Sequence, residues 1–186
     1  MKAAELADYT RDAVVGTAVE RYQLPCFDPP PAEDARKILA DAEDELAAED
    51  AGAGYGKRMY LEGMVKWARW LVEMAAEQAT GLSIDYETQA IRIGDFALVG
   101  LPGEVFVEYA LCIASRSPFH QTAVMAYTNG SPGYIPTAAA HEHGGYEVDG
   151  AYRFYGGGYT MIRPESEGLI LGAADRGLRG LLEECR

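Results

Sequence analysis

The feature that most constrains this chain is a change of hydrophobic period at Gly81. Before it, Leu61, Met64, Val65, Ala68, Leu71, Val72 and Ala75 recur at i, i+3, i+4 and i+7 spacing, which predicts one apolar face of a helix over about 57–79. After it, Leu82, Ile84 and Tyr86 alternate with Ser83, Asp85 and Glu87, and Ile91 and Ile93 flank Arg92, so 82–93 reads as strand. Gly94-Asp95 is a turn signal, and Phe96 to Leu101 is an apolar run of the buried-strand kind, ended by Pro102-Gly103. Glu104 is expected to open a helix running to Ser115, with Thr122 to Tyr127 as the next strand. A strand–helix–strand crossover of this kind is right-handed and parallel in nearly all cases. The fold class is therefore mixed α/β: a strand–helix–strand unit with flanking helices.

The flanks are read by the same rules. Ala3 to Val19 is Ala-rich with few breakers and predicts a helix. Leu24 to Pro31 holds four prolines and predicts an extended connector, because each proline lacks a donor and restricts the residue before it. A second helix follows over about 32–48. Tyr146 to Arg163, with Gly156-Gly157-Gly158, is expected to be irregular, and a last helix runs from about Glu165 to Glu184 although four glycines interrupt it. This divides the chain into a helical segment, 1–81, and an α/β segment, 82–186, the two forming one incomplete domain.

Composition removes several classes of function. The 186 residues are 48% hydrophobic and carry a formal charge of -13, which disfavours nucleic acid and anionic membrane surfaces as partners. Eight of the acids fall between Pro31 and Asp50 against only Arg36 and Lys37, a run best read as a solvated helix face. Cys26, Cys112 and Cys185 are too few and too far apart for a disulfide framework or a Cys-type zinc site. No apolar run reaches 18 residues and the first residues are charged where a signal peptide is apolar. As written, the chain is expected to be soluble and cytoplasmic, without a transmembrane segment.

Parallel strands 96–101 and 122–127 would bring their carboxyl ends to one sheet edge, where open α/β sheets bind ligands. The loops there are Leu101-Pro102-Gly103-Glu104 and the stretch from Thr128 to Thr137, the richest turn chemistry in the chain. Glu104 is a candidate metal ligand or general base, against the plainer reading of a carboxylate favoured by a helix start. Tyr134 sits in a loop dense in Gly and Pro, where a buried, hydrogen-bonded tyrosine is the plain alternative. His141-Glu142-His143 could hold an ion from an extended segment but lacks a third ligand, and His120 has no partner in sequence. There is no G-x-S-x-G nucleophile elbow, no phosphate loop and no EF-hand spacing.

Leu101-Pro102-Gly103-Glu104, Ser117-Pro118-Phe119, the stretch from Asn129-Gly130 to Gly133-Tyr134-Ile135-Pro136-Thr137, and Gly144-Gly145-Tyr146-Glu147 occur in that order. Together they resemble the carboxyl-terminal part of the neutral/alkaline ceramidase family, in particular its short bacterial members, over about Ile91 to Glu147. The resemblance implies a zinc-dependent amidase that cleaves an N-acyl bond, that of ceramide or of a related amide. It implies Glu104 and Tyr134 as zinc ligands and Tyr146 beside the scissile carbonyl, supporting the oxyanion. The family's two histidine ligands, its catalytic serine and a substrate-gripping arginine match nothing here, since His120, His141 and His143 fall elsewhere. The resemblance thus implies a carboxyl-terminal portion, inactive alone, with half of the ligand set. An apolar sheet surface left by the absent half would favour self-association or pairing with a chain that supplies it. The alternatives are a non-catalytic binding or scaffold domain of the same fold, and an independent metal site on His141 and His143.

Overall fold

The structure, a computed structural model, describes residues 13–49, 54–154 and 158–183. Its centre is a four-stranded mixed sheet of β1 (Val15–Pro25), β2 (Ser83–Ile93), β3 (Phe96–Gly100) and β5 (Gln121–Met125) in the spatial order β1-β2-β3-β5. Two-residue strands β4 (Glu104–Val105) and β6 (Tyr134–Ile135) form a second, small sheet. The helices are α1 (Ala32–Ala48), α2 (Tyr55–Ala76), α3 (Val107–Arg116), α4 (Ala138–His143) and α5 (Ser166–Glu183). The mixed α/β class read from the sequence holds.

β1 and β2 pair antiparallel over their whole lengths, from Val15 opposite Ile93 to Pro25 opposite Ser83. β2 turns through Gly94-Asp95 into antiparallel β3, and β3 lies parallel to β5 with Val99 opposite Val124. The crossover from β3 to β5 runs through α3, as the apolar pattern predicts. The helix expected over Ala3 to Val19 is corrected: residues 15–19 belong to β1, and most of that stretch lies outside the described residues, as do Glu184 and Cys185. Val15, Thr17, Val19, Arg21 and Gln23 alternate with Gly16, Ala18, Glu20, Tyr22 and Leu24, a two-residue period that the small residues disguise. The long pairing with β2 decides the state, and it carries this early segment into the same sheet as the α/β segment.

Each face of the sheet has its own character. On one, Leu24, Tyr86, Ala90, Ala97 and Val99 pack with Tyr109 and Ile113 of α3 and with Ile170, Ala174, Leu178 and Leu181 of α5. The glycines of α5 do not all weaken it: Gly177 is buried where the helix crosses β1 and β2, closest to Ala90 and Ala18. The opposite face is apolar at one end, where Val15, Ile93 and Phe96 are register partners and Val15 and Ile93 are 67% and 44% exposed. At its other end it is polar, with Arg21 paired to Glu87 at 2.7 Å.

α1 and α2 pack as a hairpin around Ala35, Trp67, Ala68 and Leu71. The acidic face of α1 is largely solvated, with Glu43 meeting Arg69 at 2.8 Å. The indole of Trp67 donates to the Tyr159 carbonyl at 3.1 Å, fastening the hairpin to the chain that leads into α5. The proline-rich connector is extended as expected. It is pinned by an isolated bridge between Cys26 and Ile162 and by Phe27 N–H donating to the Met161 carbonyl at 2.9 Å.

Leu178→Ala, deleting a fully buried side chain under the sheet, is expected to cost about 2–5 kcal/mol of unfolding free energy. Gly180→Ala, with open space at the added methyl, is expected to gain about 0.5–1 kcal/mol; urea denaturation midpoints check both.

Candidate functional site

The site lies beyond the carboxyl ends of β3 and β5. From β3 the chain passes Leu101 and Pro102 and turns at Gly103, whose φ is +81°. A Cβ there would collide with the Gly133 carbonyl oxygen, so only glycine lets the two loops approach this closely. The approach is what forms the small parallel sheet. Gly103 N–H donates to the Gly130 carbonyl at 3.0 Å, Glu104 N–H to the Gly133 carbonyl at 2.8 Å, and Phe106 N–H to the Ile135 carbonyl at 3.3 Å. Glu104 and Tyr134 are register partners in that sheet.

Two findings correct the expectations here. Glu104 does not open a helix: it is a strand residue, and α3 begins three residues later, at Val107. The stabilisation of a helix-start carboxylate therefore falls to Glu108 rather than Glu104. The strand expected to run to Tyr127 stops at Met125, and Tyr127 takes a φ of +56°. Its N–H donates to the Gly103 carbonyl at 3.0 Å while Thr128 N–H donates to the Leu101 carbonyl at 3.1 Å.

The loops are also tethered from below. Tyr86 donates its hydroxyl to the Pro102 carbonyl at 2.9 Å, and Tyr109 donates to the Pro136 carbonyl at 3.0 Å. Both tyrosines are buried in the main core, and burial pushes both phenols far above their ordinary pKa. Each thus stays a neutral donor, anchoring the residue two before Glu104 and the residue two after Tyr134.

Around the small sheet the chemistry converges on one carboxylate. Tyr134 and Tyr127 both donate their hydroxyls to Glu104. That bond, reinforced by the nearby charges of Glu104 and Glu147, holds the Tyr134 phenol up at about 12. Tyr146 completes the group: its ring stands edge-on to that of Tyr134, with centroids 6.4 Å apart and planes at 73°. The region around Tyr146 is not the irregular loop that its composition suggests. Gly144 and Gly145, at φ of +65° and +114°, break the chain after α4, and a single π-helical turn over Tyr146–Gly150 follows. Asp149 closes that turn by accepting from Gly145 N–H at 2.9 Å. Tyr146 itself remains 58% exposed.

Glu104, Tyr134 and Tyr146, singled out separately in the sequence, are therefore brought together. The histidines are not. His141 and His143 lie on helix α4, not on an extended segment, and two residues of helix separate their directions by about 200°. Burial lowers the pKa of His141 against the opposing charges of Asp149 and Glu165. Among the described residues no group of three or more His, Cys, Asp and Glu side chains could hold a metal ion. Tyr127 is the site residue that pattern reading missed; its signal was a large residue immediately before Thr128-Asn129-Gly130, where the strand has no room to continue.

No family model matches the sequence, and no curated protein matches it. Among solved structures, the chain is similar to the neutral ceramidase from Pseudomonas aeruginosa, with a TM-score of 0.47 and 16% identity over 91% of this chain. It is also similar to a ceramidase complexed with C2, with a TM-score of 0.43 and 19% identity over 60% of this chain. The chain spans 29% and 19% of the lengths of those two proteins. No described helix is long and apolar enough to cross a membrane.

Two outcomes test the geometry. Gly103→Ala is expected to destabilise the fold by more than about 1 kcal/mol, since the methyl meets backbone and the positive φ is unfavourable for alanine, read as a lower denaturation midpoint. Glu104→Gln is expected to bring the Tyr134 phenol down from about 12 toward its ordinary value, followed by ultraviolet difference titration. The raised pKa of Tyr134 stabilises the folded state fully below pH 10.0, its ordinary value, and this contribution is lost as pH rises from there through about 12.

Proposed function

We propose that this chain is the carboxyl-terminal portion of a zinc-dependent amidohydrolase of the neutral ceramidase type, acting on an N-acyl amide. The reading is carried by one observation: Glu104 and Tyr134, from two separate motifs, are strand partners whose side chains are joined by a hydrogen bond. A cation that replaced the bonding proton would find a carboxylate and a phenolate oxygen side by side, the hard oxygen donors that zinc accepts. The carboxylates of Glu104 and Glu147 supply the negative field that would favour it.

The donor set fits part of a zinc shell. Catalytic zinc keeps three protein ligands, so the remaining donors would have to come from beyond the described residues. When bound, zinc would polarise a carbonyl and lower the pKa of its water. This chain's own contribution is positional. Gly103 and the two buried tyrosines fix the loops, Glu104 holds the proton of Tyr134, and Tyr146 sets a hydroxyl donor beside the pair, the group type that stabilises an oxyanion. On this reading the chain is inactive alone and pairs with a chain that supplies the missing half. The exposed apolar end of the sheet, at Val15 and Ile93, supports such pairing.

Calorimetric titration with Zn²⁺ tests the assignment. Weak binding, as a partial ligand shell allows, is expected in the wild-type chain, lost in Glu104→Ala, weakened further in Tyr134→Phe and unchanged in His141→Ala. Binding that survives Glu104→Ala and vanishes in His141→Ala would move the site to the histidines. No response to zinc in the wild-type chain would leave a non-catalytic scaffold domain.

A further inference from the structure

A cavity of about 350 Å³ lies where α2 meets a 3₁₀ turn at Ala151–Phe154. Its walls are aromatic: Trp67 and Trp70 of α2 and Phe154 of the turn, with Met59 beside them. Each ring is fixed by a contact of its own. The Trp67 indole donates to the Tyr159 carbonyl at 3.1 Å. Trp70 lies on Gly158, where φ is +60° and a Cβ would come within 3.0 Å of the indole nitrogen. Phe154 lies over Gly63, where a Cβ would stand 3.2 Å from its ring, and it packs on Tyr60 with centroids 4.5 Å apart. The rings are thus held independently of one another, and the cavity they border has the size and apolar lining of a small-molecule site.

The polar part of that lining is cationic. Lys66 and Arg153 border the cavity and none of its described lining residues is an acid, although the chain holds 29 Asp and Glu against 16 Lys and Arg. Neither cation forms an ion pair among the described residues; Glu62, one turn before Lys66, is taken by Arg58 at 3.0 Å. Arg153 stands over the ring of Trp67, its guanidinium carbon 5.0 Å from the centroid, and over that of Tyr152 at 5.5 Å. Stacking uses the face of a guanidinium and leaves its N–H fork, which lies in the plane, for a carboxylate. A half-buried cation without a counter-ion is costly, and an anion in the cavity would supply one. We propose that this cavity binds an amphiphilic carboxylate: Lys66 and the Arg153 fork take the head, and the apolar body lies against Trp67, Trp70 and Phe154. An alkyl chain and a fused ring system share this chemistry. The proposal is independent of the zinc reading, which uses none of these residues.

Both tryptophans of the chain border the cavity, so the intrinsic emission of the full chain reports its occupation. The probe is decanoate below its micelle concentration, with decanol as the neutral counterpart and decyltrimethylammonium as the cationic one. At a net charge of -13 the chain repels anions overall, so non-specific association would rank the cation first. Decanoate is expected to change the emission saturably, with half-saturation at a concentration about tenfold or more below that of decanol. Arg153→Gln is expected to raise the decanoate half-saturation about tenfold, and Lys66→Gln, at an exposed position, about threefold, with that of decanol unmoved. Arg153→Lys, which restores the charge without the fork, is expected to fall between wild type and Arg153→Gln. Calorimetry with 2-naphthoate separates the two bodies: tighter binding than decanoate assigns a ring system and weaker binding an alkyl chain, and either supports the site if Lys66→Gln weakens it. Decanoate binding no tighter than decanol, a half-saturation unmoved in both glutamine variants, or no saturable change at all overturns the proposal.

Discussion

The contact on which the site depends is the approach of Gly103 to the carbonyl of Gly133. No side chain takes part in it. Because Gly103 has no Cβ and can adopt a positive φ, the chain leaving β3 comes within hydrogen-bond range of the loop before β6, and three backbone bonds follow. Those bonds make a parallel pair only two residues long, and those two positions include both Glu104 and Tyr134. A side chain at residue 103 would separate the loops and with them the two oxygens.

So short a pair of strands cannot support itself, and the main sheet provides the support. β3 and β5 deliver the two loops to one edge because they are parallel, and that parallel pairing rests on α3 crossing between them. The buried phenols of Tyr86 and Tyr109 then reach up from the core to carbonyls on either side of the small sheet. Their burial is what keeps them protonated and donating. The same residue type thus has opposite tasks in this protein: rigid neutral tethers within the core, and hydroxyls gathered around a charged carboxylate at the surface.

Much of the fold was legible because its signals are local. The strand–turn–strand from Ser83 to Gly100 follows from alternation and Gly94-Asp95, and α1 follows from a run of helix formers after a proline. β1 was not legible, because Val15, Gly16, Thr17, Ala18 and Val19 carry no decisive period until a partner strand is present, and that partner, Ser83–Ile93, lies beyond two intervening helices. Glu104 was read as a helix start for a related reason: the propensity of the following residues is helical, and only the Gly133 carbonyl holds its N–H in a strand. Tyr127 was missed because nothing in a tyrosine announces a positive φ, and the turn residues that follow it mark only where the strand ends.

The sequence by itself determined the alternation of strand and helix from Ser83 onward, the parallel crossover, and the two glycine-rich loops that carry Glu104 and Tyr134, because each depends on residues near one another in the chain. The tertiary structure decided what those loops become. It made Glu104 and Tyr134 strand partners, turned Tyr127 onto the same carboxylate, stood Tyr146 beside them and sent His141 and His143 to different sides of a helix. These outcomes depend on backbone contacts between segments distant in the chain, such as those of Gly103 and Gly133, which no local propensity encodes.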